Sequence, residues 1–232
     1  MVMAFARKFA VLLAALLLAV LPDAEADSPK VDTALVLAID ISASVDADEY
    51  RLQMTGLAAA LQSPAVLEAI QSGPEKRVAI TVLQWSGTNS QHIVVPWTIV
   101  EDSQSVLELG LAVVQTTRAV EGGATSLSAA LVQATRLFAK APMAQRKVID
   151  LSADGINNIG PDLEGARLAA LVDGVTVNGL AIANEWPKLQ EYLETRVIAG
   201  TGAFAVTAKS YIDYGAVMQK KLVREIQAPG SS

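Results

Sequence analysis

Five side chains in three polar stretches of the chain could together bind a divalent cation. All five carry oxygen, as two carboxylates and three hydroxyls: Asp40, Ser42, Ser44, Thr125 and Asp154. Oxygen-only sites suit hard cations such as Mg²⁺, Mn²⁺ or Ca²⁺, and not zinc. The two aspartates balance the charge of one such ion, and neutral hydroxyls leave the ion able to accept a further carboxylate. These residue types therefore predict a cation site for acidic partners, with Mg²⁺ as the first expectation and Mn²⁺ or Ca²⁺ as alternatives.

Apolar runs that alternate with helical patterns would position these side chains. The runs predict five strands, at 33–39, 77–85, 147–152, 175–182 and 203–208. Most are apolar on both faces, which is typical of parallel strands covered by helices on each side. Segment 91–97 follows a turn-rich stretch and predicts an antiparallel edge strand. The expected fold class is α/β, a doubly wound, mostly parallel sheet with one antiparallel edge strand and helices on both faces.

Helices are predicted between the strands. Asp46 and Glu49 form a capping-box pattern at the start of the first helix. Further helical patterns cover 102–117, 126–140, 162–173, 187–197 and 214–226. The charged stretch 219–225 within the last of these is expected to be a solvated helix face.

The order of these elements indicates where the five oxygen-bearing residues meet. In open parallel sheets, ligands bind beyond the carboxyl ends of the strands, near the point where the strand order reverses. The loops at 40–44, 121–126 and 151–158 all follow predicted strands or open predicted helices at that edge. If their strands are neighbours, the five side chains converge on one spot.

The first 26 residues have the order of a secretory signal peptide. Arg7 and Lys8 precede an apolar run over 9–21, and Ala24 and Ala26 supply an A-x-A cleavage pattern. The apolar run is shorter than the ~20 residues that cross a bilayer, so an uncleaved anchor is the weaker alternative. We therefore expect a signal peptide at 1–26 and a single domain at 27–232, periplasmic or secreted by a bacterium, with no stable membrane span after cleavage.

Composition excludes several classes of partner and site. The formal net charge is −6, and an acidic chain repels phosphate backbones, so nucleic-acid binding is not expected. The chain contains no cysteine, which excludes disulfides, thiolate metal sites and a cysteine nucleophile.

Asp40-Ile41-Ser42-Ala43-Ser44 matches the D-x-S-x-S signature of von Willebrand factor A-type (VWA) domains. Thr125 and Asp154 resemble that family's second and third loops, in the same order. Together they resemble a complete metal-ion-dependent adhesion site (MIDAS). The resemblance implies direct contact of Ser42, Ser44 and Thr125 with the metal, with Asp40 and Asp154 holding it largely through water. It also implies a partner protein, or other ligand, that supplies a carboxylate.

Three other segments resemble one particular family of A-type proteins. "VLQWSG" (82–87), "VVPW" (94–97) and the ending "LVREI" (222–226) are similar to a bacterial family of short exported A-type proteins of unknown function. Ala43 stands where glycine is common in the signature, a change that should not affect the ligands.

Two other functions are kept as alternatives to a binding module. A metal-assisted hydrolase would use the ion to activate water. It lacks an evident general base, because the one histidine, His92, is predicted on the edge strand. A structural domain with a stabilising metal is the second alternative. An EF-hand is excluded, because Val45 and Arg51 stand where that loop needs glycine and glutamate.

Several other residues have two interpretations each. Trp85, Trp97 and Trp186 could form a recognition surface, although burial in the core is the expectation for the first two. Asn157 and Asn158 could line the rim of the site or only form a turn.

Overall fold

The computed structural model describes residues 29–227, which form six strands and seven α-helices. The strands are β1 (Val31–Asp40), β2 (Val78–Trp85), β3 (Gln91–Val100), β4 (Ala144–Ala153), β5 (Val175–Ile182) and β6 (Ala205–Ala208). The helices are α1 (Ala47–Leu61), α2 (Pro64–Gln71), α3 (Ser103–Val114), α4 (Leu127–Leu137), α5 (Leu163–Val172), α6 (Leu189–Arg196) and α7 (Tyr211–Ile226). The predicted signal peptide lies outside the described residues.

All six strands belong to one sheet with the order β3-β2-β1-β4-β5-β6. β1 pairs in parallel with β2 and with β4, and β3 is antiparallel at the edge. The strand order reverses at β1, which is the switch point of a doubly wound sheet. The predicted fold class is therefore confirmed, including the antiparallel edge strand.

The sheet separates two apolar cores, because successive side chains of each strand point to opposite faces. Leu35, Leu37 and Ile39 of β1 face the layer formed by α1, α2, α3 and α7. Ala34 and Ala38 face the layer formed by α4, α5 and α6. Every residue of β1 is buried, which explains its continuous apolar run over 34–39. Within residues 29–227, no helix is long and apolar enough to cross a bilayer.

The structure adds one helix that the predicted elements did not include. α2 starts with Ser63 as its N-cap, whose side chain accepts a hydrogen bond from the Val66 amide, and with Pro64 in its first turn. Both are helix-start signals. The helix has only eight residues, so its apolar periodicity is short. The capping box predicted at Asp46 and Glu49 is present at the start of α1.

The prediction of a solvated face over 219–225 is wrong for two of its charged residues, and the apolar Leu222 between them is buried as well. Lys221 and Glu225 are buried against the sheet, at 1% and 2% exposure. The Lys221 ammonium lies 2.8 Å from Asp150 Oδ1 and also contacts Glu225, while Asn178 Nδ2 donates to Glu225 Oε1 at 2.8 Å. We call Asp150, Asn178, Lys221 and Glu225 the buried charge cluster. Its strand members are distant in sequence from α7, so the helix pattern alone could not reveal them.

The buried charge cluster contains one basic side chain, Lys221, in contact with two acidic side chains, Asp150 and Glu225. Burial and the negative charge of Asp150 raise the pKa of Glu225 from 4.5 to about 8. The folded protein therefore holds a proton on Glu225 that the unfolded chain releases above pH 4.5. The stability contributed by this proton is complete below pH 4.5 and is lost as the pH rises to about 8.

We predict opposite effects for two substitutions in the buried charge cluster. Lys221→Met leaves the buried Asp150 carboxylate without its cation and should lower the free energy of unfolding by ~3–5 kcal/mol. Glu225→Gln copies the neutral carboxyl and should change it by less than ~1 kcal/mol at pH 7. Urea unfolding measures both.

A comparison of wild type with Glu225→Gln over a range of pH tests the titration of Glu225. As pH rises from 5 to 8, wild type should lose stability relative to Glu225→Gln, because only wild type has this proton to release. Parallel stability curves over that range would contradict the assignment.

Candidate metal centre

The turn after β1 places its polar side chains on one side. Asp40, the last residue of the strand, is fully buried, and its Oδ1 accepts a hydrogen bond from the Ser42 amide at 2.8 Å. Arg118 Nη2 donates to the carbonyl oxygens of Ile41 and Ser42, both at 2.9 Å. The hydroxyls of Ser42 and Ser44 consequently lie 3.3 Å apart.

The second loop turns back toward this site through two glycines. Gly122 and Gly123 have φ angles of 74° and 107°, a region that side-chain-bearing residues rarely adopt. The carbonyl of Gly123 accepts a hydrogen bond from the Ala43 amide at 2.9 Å, which joins the two loops. Thr125 then follows, with its hydroxyl donating to Ser42 Oγ at 3.3 Å.

The third loop leaves the carboxyl end of β4 and supplies Asp154. Its Oδ1 accepts a hydrogen bond from the Ser44 hydroxyl at 2.8 Å. Its Oδ2 accepts one from the Tyr211 hydroxyl at 3.1 Å. Asp154 is 3% exposed; its contact with Tyr211 is buried, and its contact with the exposed Ser44 is partly buried.

Asn157 and Asn158 connect the second and third loops. Asn158 Oδ1 accepts from the Thr125 amide, and Asn157 Oδ1 accepts from the Ser128 amide, both at 3.0 Å. The sequence interpretations for this pair were a rim or a turn. Their side chains hold the loop that carries Thr125 and the first turn of α4, and Asn158 also lines the cavity beside Ser44 and Asp154, as the rim interpretation expected.

The structure therefore brings together all five residues predicted to form the site. A continuous series of hydroxyl and carboxylate contacts runs through Thr125, Ser42, Ser44 and Asp154, and Asp40 lies beneath Ser42. Their binding of a metal stays a prediction.

The electrostatics of the site fit a cation. Burial, followed by the nearby charge of Asp154, raises the pKa of Asp40 to about 8. Asp40 Oδ2 is buried and has no hydrogen-bond partner in the described part of the chain. Neither aspartate forms a salt bridge to any residue of the range 29–227. A divalent ion would supply the missing counter-charge and so favour the ionised form of Asp40 beside Asp154.

The site offers a cation few charged ligands. No group of three Asp, Glu, His or Cys side chains suited to a metal occurs within residues 29–227. A cation here would have to use hydroxyls beside the two carboxylates. Such a set, with water filling the remaining positions, suits the octahedral preference of Mg²⁺.

A cavity of about 240 Å³ opens over the site. Ser44, Thr125, Asp154, Glu185 and Trp186 are among the residues that line it. A larger cavity of about 810 Å³ lies elsewhere, beside Arg146, Asn178 and Phe204 near the amino ends of β4 and β5. Of these two cavities, only the smaller is lined by predicted site residues, namely Ser44, Thr125 and Asp154.

The three tryptophans have different locations. Trp85 is fully buried in the core on the α4 side. Trp97 packs against Phe138 with ring centroids 5.8 Å apart and donates to the Leu137 carbonyl. Trp186 is 46% exposed at the cavity wall. Only Trp186 is therefore placed to contact a ligand.

Two residues with clear roles in the site were not predicted. Arg118 supports the first turn from a loop between α3 and α4, and Tyr211 reaches Asp154 from the start of α7. The helical pattern indicated that α7 begins at 214, whereas the helix begins at Tyr211. No local signal links either residue to the D-x-S-x-S stretch.

His92 lies on β3, paired with Gln84 of β2. Two strand spacings, about 10 Å, separate β3 from β1 and its terminal Asp40. Its predicted location on the edge strand is confirmed.

Comparisons with known proteins agree with this fold. Proximal thread matrix protein 1 from the mussel byssus matches with a TM-score of 0.64 and 15% identity, over 85% of this chain and 48% of that chain. A structure of the same mussel protein with a zinc-occupied MIDAS motif matches with a TM-score of 0.63 and 17% identity, over 87% and 49% of the two chains. A von Willebrand factor type A protein from Catenulispora acidiphila matches with a TM-score of 0.59 and 20% identity, over 84% and 43%.

The chain thus spans about half the length of these matched structures. At such identities the likeness shows the fold, which is of the VWA type. No protein with a curated description matches the chain. Residues 30–230 match the family described as "Protein of unknown function (DUF1194)". The chain therefore belongs to the DUF1194 family and has a VWA-type fold.

Proposed function

We propose that this protein is an exported binding module that captures a protein, or another carboxylate-bearing ligand, through a divalent cation. One observation carries the proposal: five oxygen-bearing side chains from three loops lie together, three of them line an open cavity, and the buried Oδ2 of Asp40 has no hydrogen-bond partner within residues 29–227. A solved VWA-type structure with a zinc-occupied MIDAS motif supports metal binding by this kind of site.

Ser42, Ser44 and Thr125 would hold the cation directly, and Asp40 and Asp154 would hold it largely through water. When bound, the cation would supply a coordination position for a carboxylate of the partner, with Mg²⁺ as the expected ion and Mn²⁺ or Ca²⁺ as alternatives. Ser44 is the exposed member of the set and lines the cavity, so a ligand would approach the cation from the side of Ser44. Glu185 and Trp186 would contact the rest of that ligand.

A binding role fits the site better than catalysis. A hydrolase needs a positioned general base within hydrogen-bond reach of its water. The two site aspartates are committed to the ion, and His92 lies two strands away from β1. The mature domain is proposed to act in the periplasm or outside the cell, because of the signal-peptide pattern at its start. Neither its acidic charge nor its oxygen site favours nucleic acid as a partner.

We predict that Asp40→Asn abolishes the binding of Mg²⁺. The amide keeps an oxygen that can accept from the Ser42 amide but removes the buried charge that balances the ion. Isothermal titration with Mg²⁺ and with Mn²⁺ should give saturable heats for wild type and none for the variant. Asp48→Ala is the matched control, because Asp48 is an exposed carboxylate paired with Arg51 on α1, and it should titrate like wild type. Unchanged heats in Asp40→Asn would refute the site.

The same variant should be at least as stable as wild type when the metal is removed. Without a cation, burial and the charge of Asp154 oppose the ionisation of Asp40 and raise its pKa, and Asp40→Asn removes this cost. Wild type should gain ~2.7 kcal/mol of unfolding free energy at a Mg²⁺ concentration 100 times its Kd, and the variant should gain nothing. Urea unfolding with chelator and with Mg²⁺ measures both changes. A loss of stability in the metal-free variant would show that Asp40 has a structural role instead.

We further predict that wild type captures a partner from a periplasmic extract in Mg²⁺ and releases it with chelator. Asp40→Asn should capture nothing, and a short aspartate peptide should compete where its asparagine counterpart does not. Metal-dependent turnover of a generic ester or phosphoester would instead favour the hydrolase. Metal-dependent stability without capture would favour the structural domain.

A further inference from the structure

The hydroxyl of Tyr211 contacts the metal centre from an unexpected element. Tyr211 is the first residue of α7 and is 4% exposed. Its hydroxyl donates to Asp154 Oδ2 at 3.1 Å. The two residues are 57 positions apart in the chain, so this contact depends on how α7 packs beside the carboxyl end of β4 in the folded protein.

The two oxygens of Asp154 are engaged in different ways. Oδ1 accepts from Ser44, whose hydroxyl oxygen retains a lone pair that can face a cation while its proton points to Asp154. Oδ2 accepts from Tyr211, which is not among the five oxygen-bearing site residues. The phenol therefore fixes the rotation of the carboxylate and keeps Oδ1 directed at Ser44.

We propose that Tyr211 is a positioning residue of the metal centre, which sets the cation affinity by holding the Asp154 carboxylate in one orientation. This inference rests on the proposed function, because it requires that the centre binds a cation. Hydrogen bonds from a neutral donor to a carboxylate are stronger than neutral pairs, so the contact is able to orient Asp154. Partners of this kind commonly change metal affinity by about 10- to 100-fold.

The same helix supplies a matched control. Tyr214 lies one turn further along α7 and is fully buried, and its hydroxyl lies 3.3 Å from Ser152 Oγ. Ser152 is a β4 residue outside the proposed ligand set. Tyr211→Phe and Tyr214→Phe therefore remove the same atom from the same helix, but only the first removes a contact to a site residue.

The test uses the full chain and Mn²⁺ as the probe, with free Mn²⁺ followed by electron paramagnetic resonance. We expect Tyr211→Phe to raise the Kd for Mn²⁺ about tenfold, and Tyr214→Phe to leave it within twofold of wild type. The second readout is the relaxation of water protons per bound Mn²⁺. It should change in Tyr211→Phe, because a carboxylate free to rotate alters water exchange at the ion, and should match wild type in Tyr214→Phe.

The outcomes separate this inference from the proposed function. If wild type binds Mn²⁺ and Tyr211→Phe binds it equally well, the positioning role is overturned and the binding module stands. An equal loss of affinity in both variants also overturns the role, because it would then come from helix packing. If wild type binds no Mn²⁺, the proposed function fails first, and the role of Tyr211 fails with it.

Discussion

The parallel pairing of β1 with β4 is the constraint on which the site depends. Ile39 lies opposite Ser152 in this register, so the turn at Asp40 and the loop at Asp154 leave the sheet side by side. β1 can occupy the centre because it is apolar on both faces, with alanines on the α4 side that let the helices approach closely. A shift of this pairing by one residue would exchange the two faces of β1 and move Asp40 out of reach of its partners.

Buried acidic side chains occur in two settings in this protein, and the difference between them has a physical meaning. In the buried charge cluster, the ammonium of Lys221 contacts the side chains of both Asp150 and Glu225, and the Asn178 amide donates a hydrogen bond to Glu225. At the metal centre, Asp40 and Asp154 have hydroxyl and amide donors but no cationic partner in the described residues. The first arrangement is balanced internally. The second has no internal counter-charge within residues 29–227 and lies beside a cavity open to solvent, as the proposed cation site requires.

Much of this organisation could be predicted from local patterns. The strand at 175–182 has the predicted bounds, and the five site residues follow from strand ends and loop order. The contributions of Arg118 and Tyr211 could not be predicted, because they depend on how distant elements meet. The prediction that Lys221 and Glu225 are solvent-exposed was wrong for the same reason. A helix sequence shows which residues share a face, but it does not show that Asp150 of β4 packs against them. Short α2 offered too few turns for its periodicity to stand out.

The long sequence separation within the site links its formation to folding. Ser44 and Asp154 are 110 positions apart, yet share a hydrogen bond. Contacts of such separation require the closure of a long chain segment, and topologies that depend on them fold slowly. A partly folded intermediate that lacks the central strand pair has only scattered hydroxyls and carboxylates. Under the proposed function, a chain that has not yet paired β1 with β4 would therefore be unable to bind the cation or its ligand.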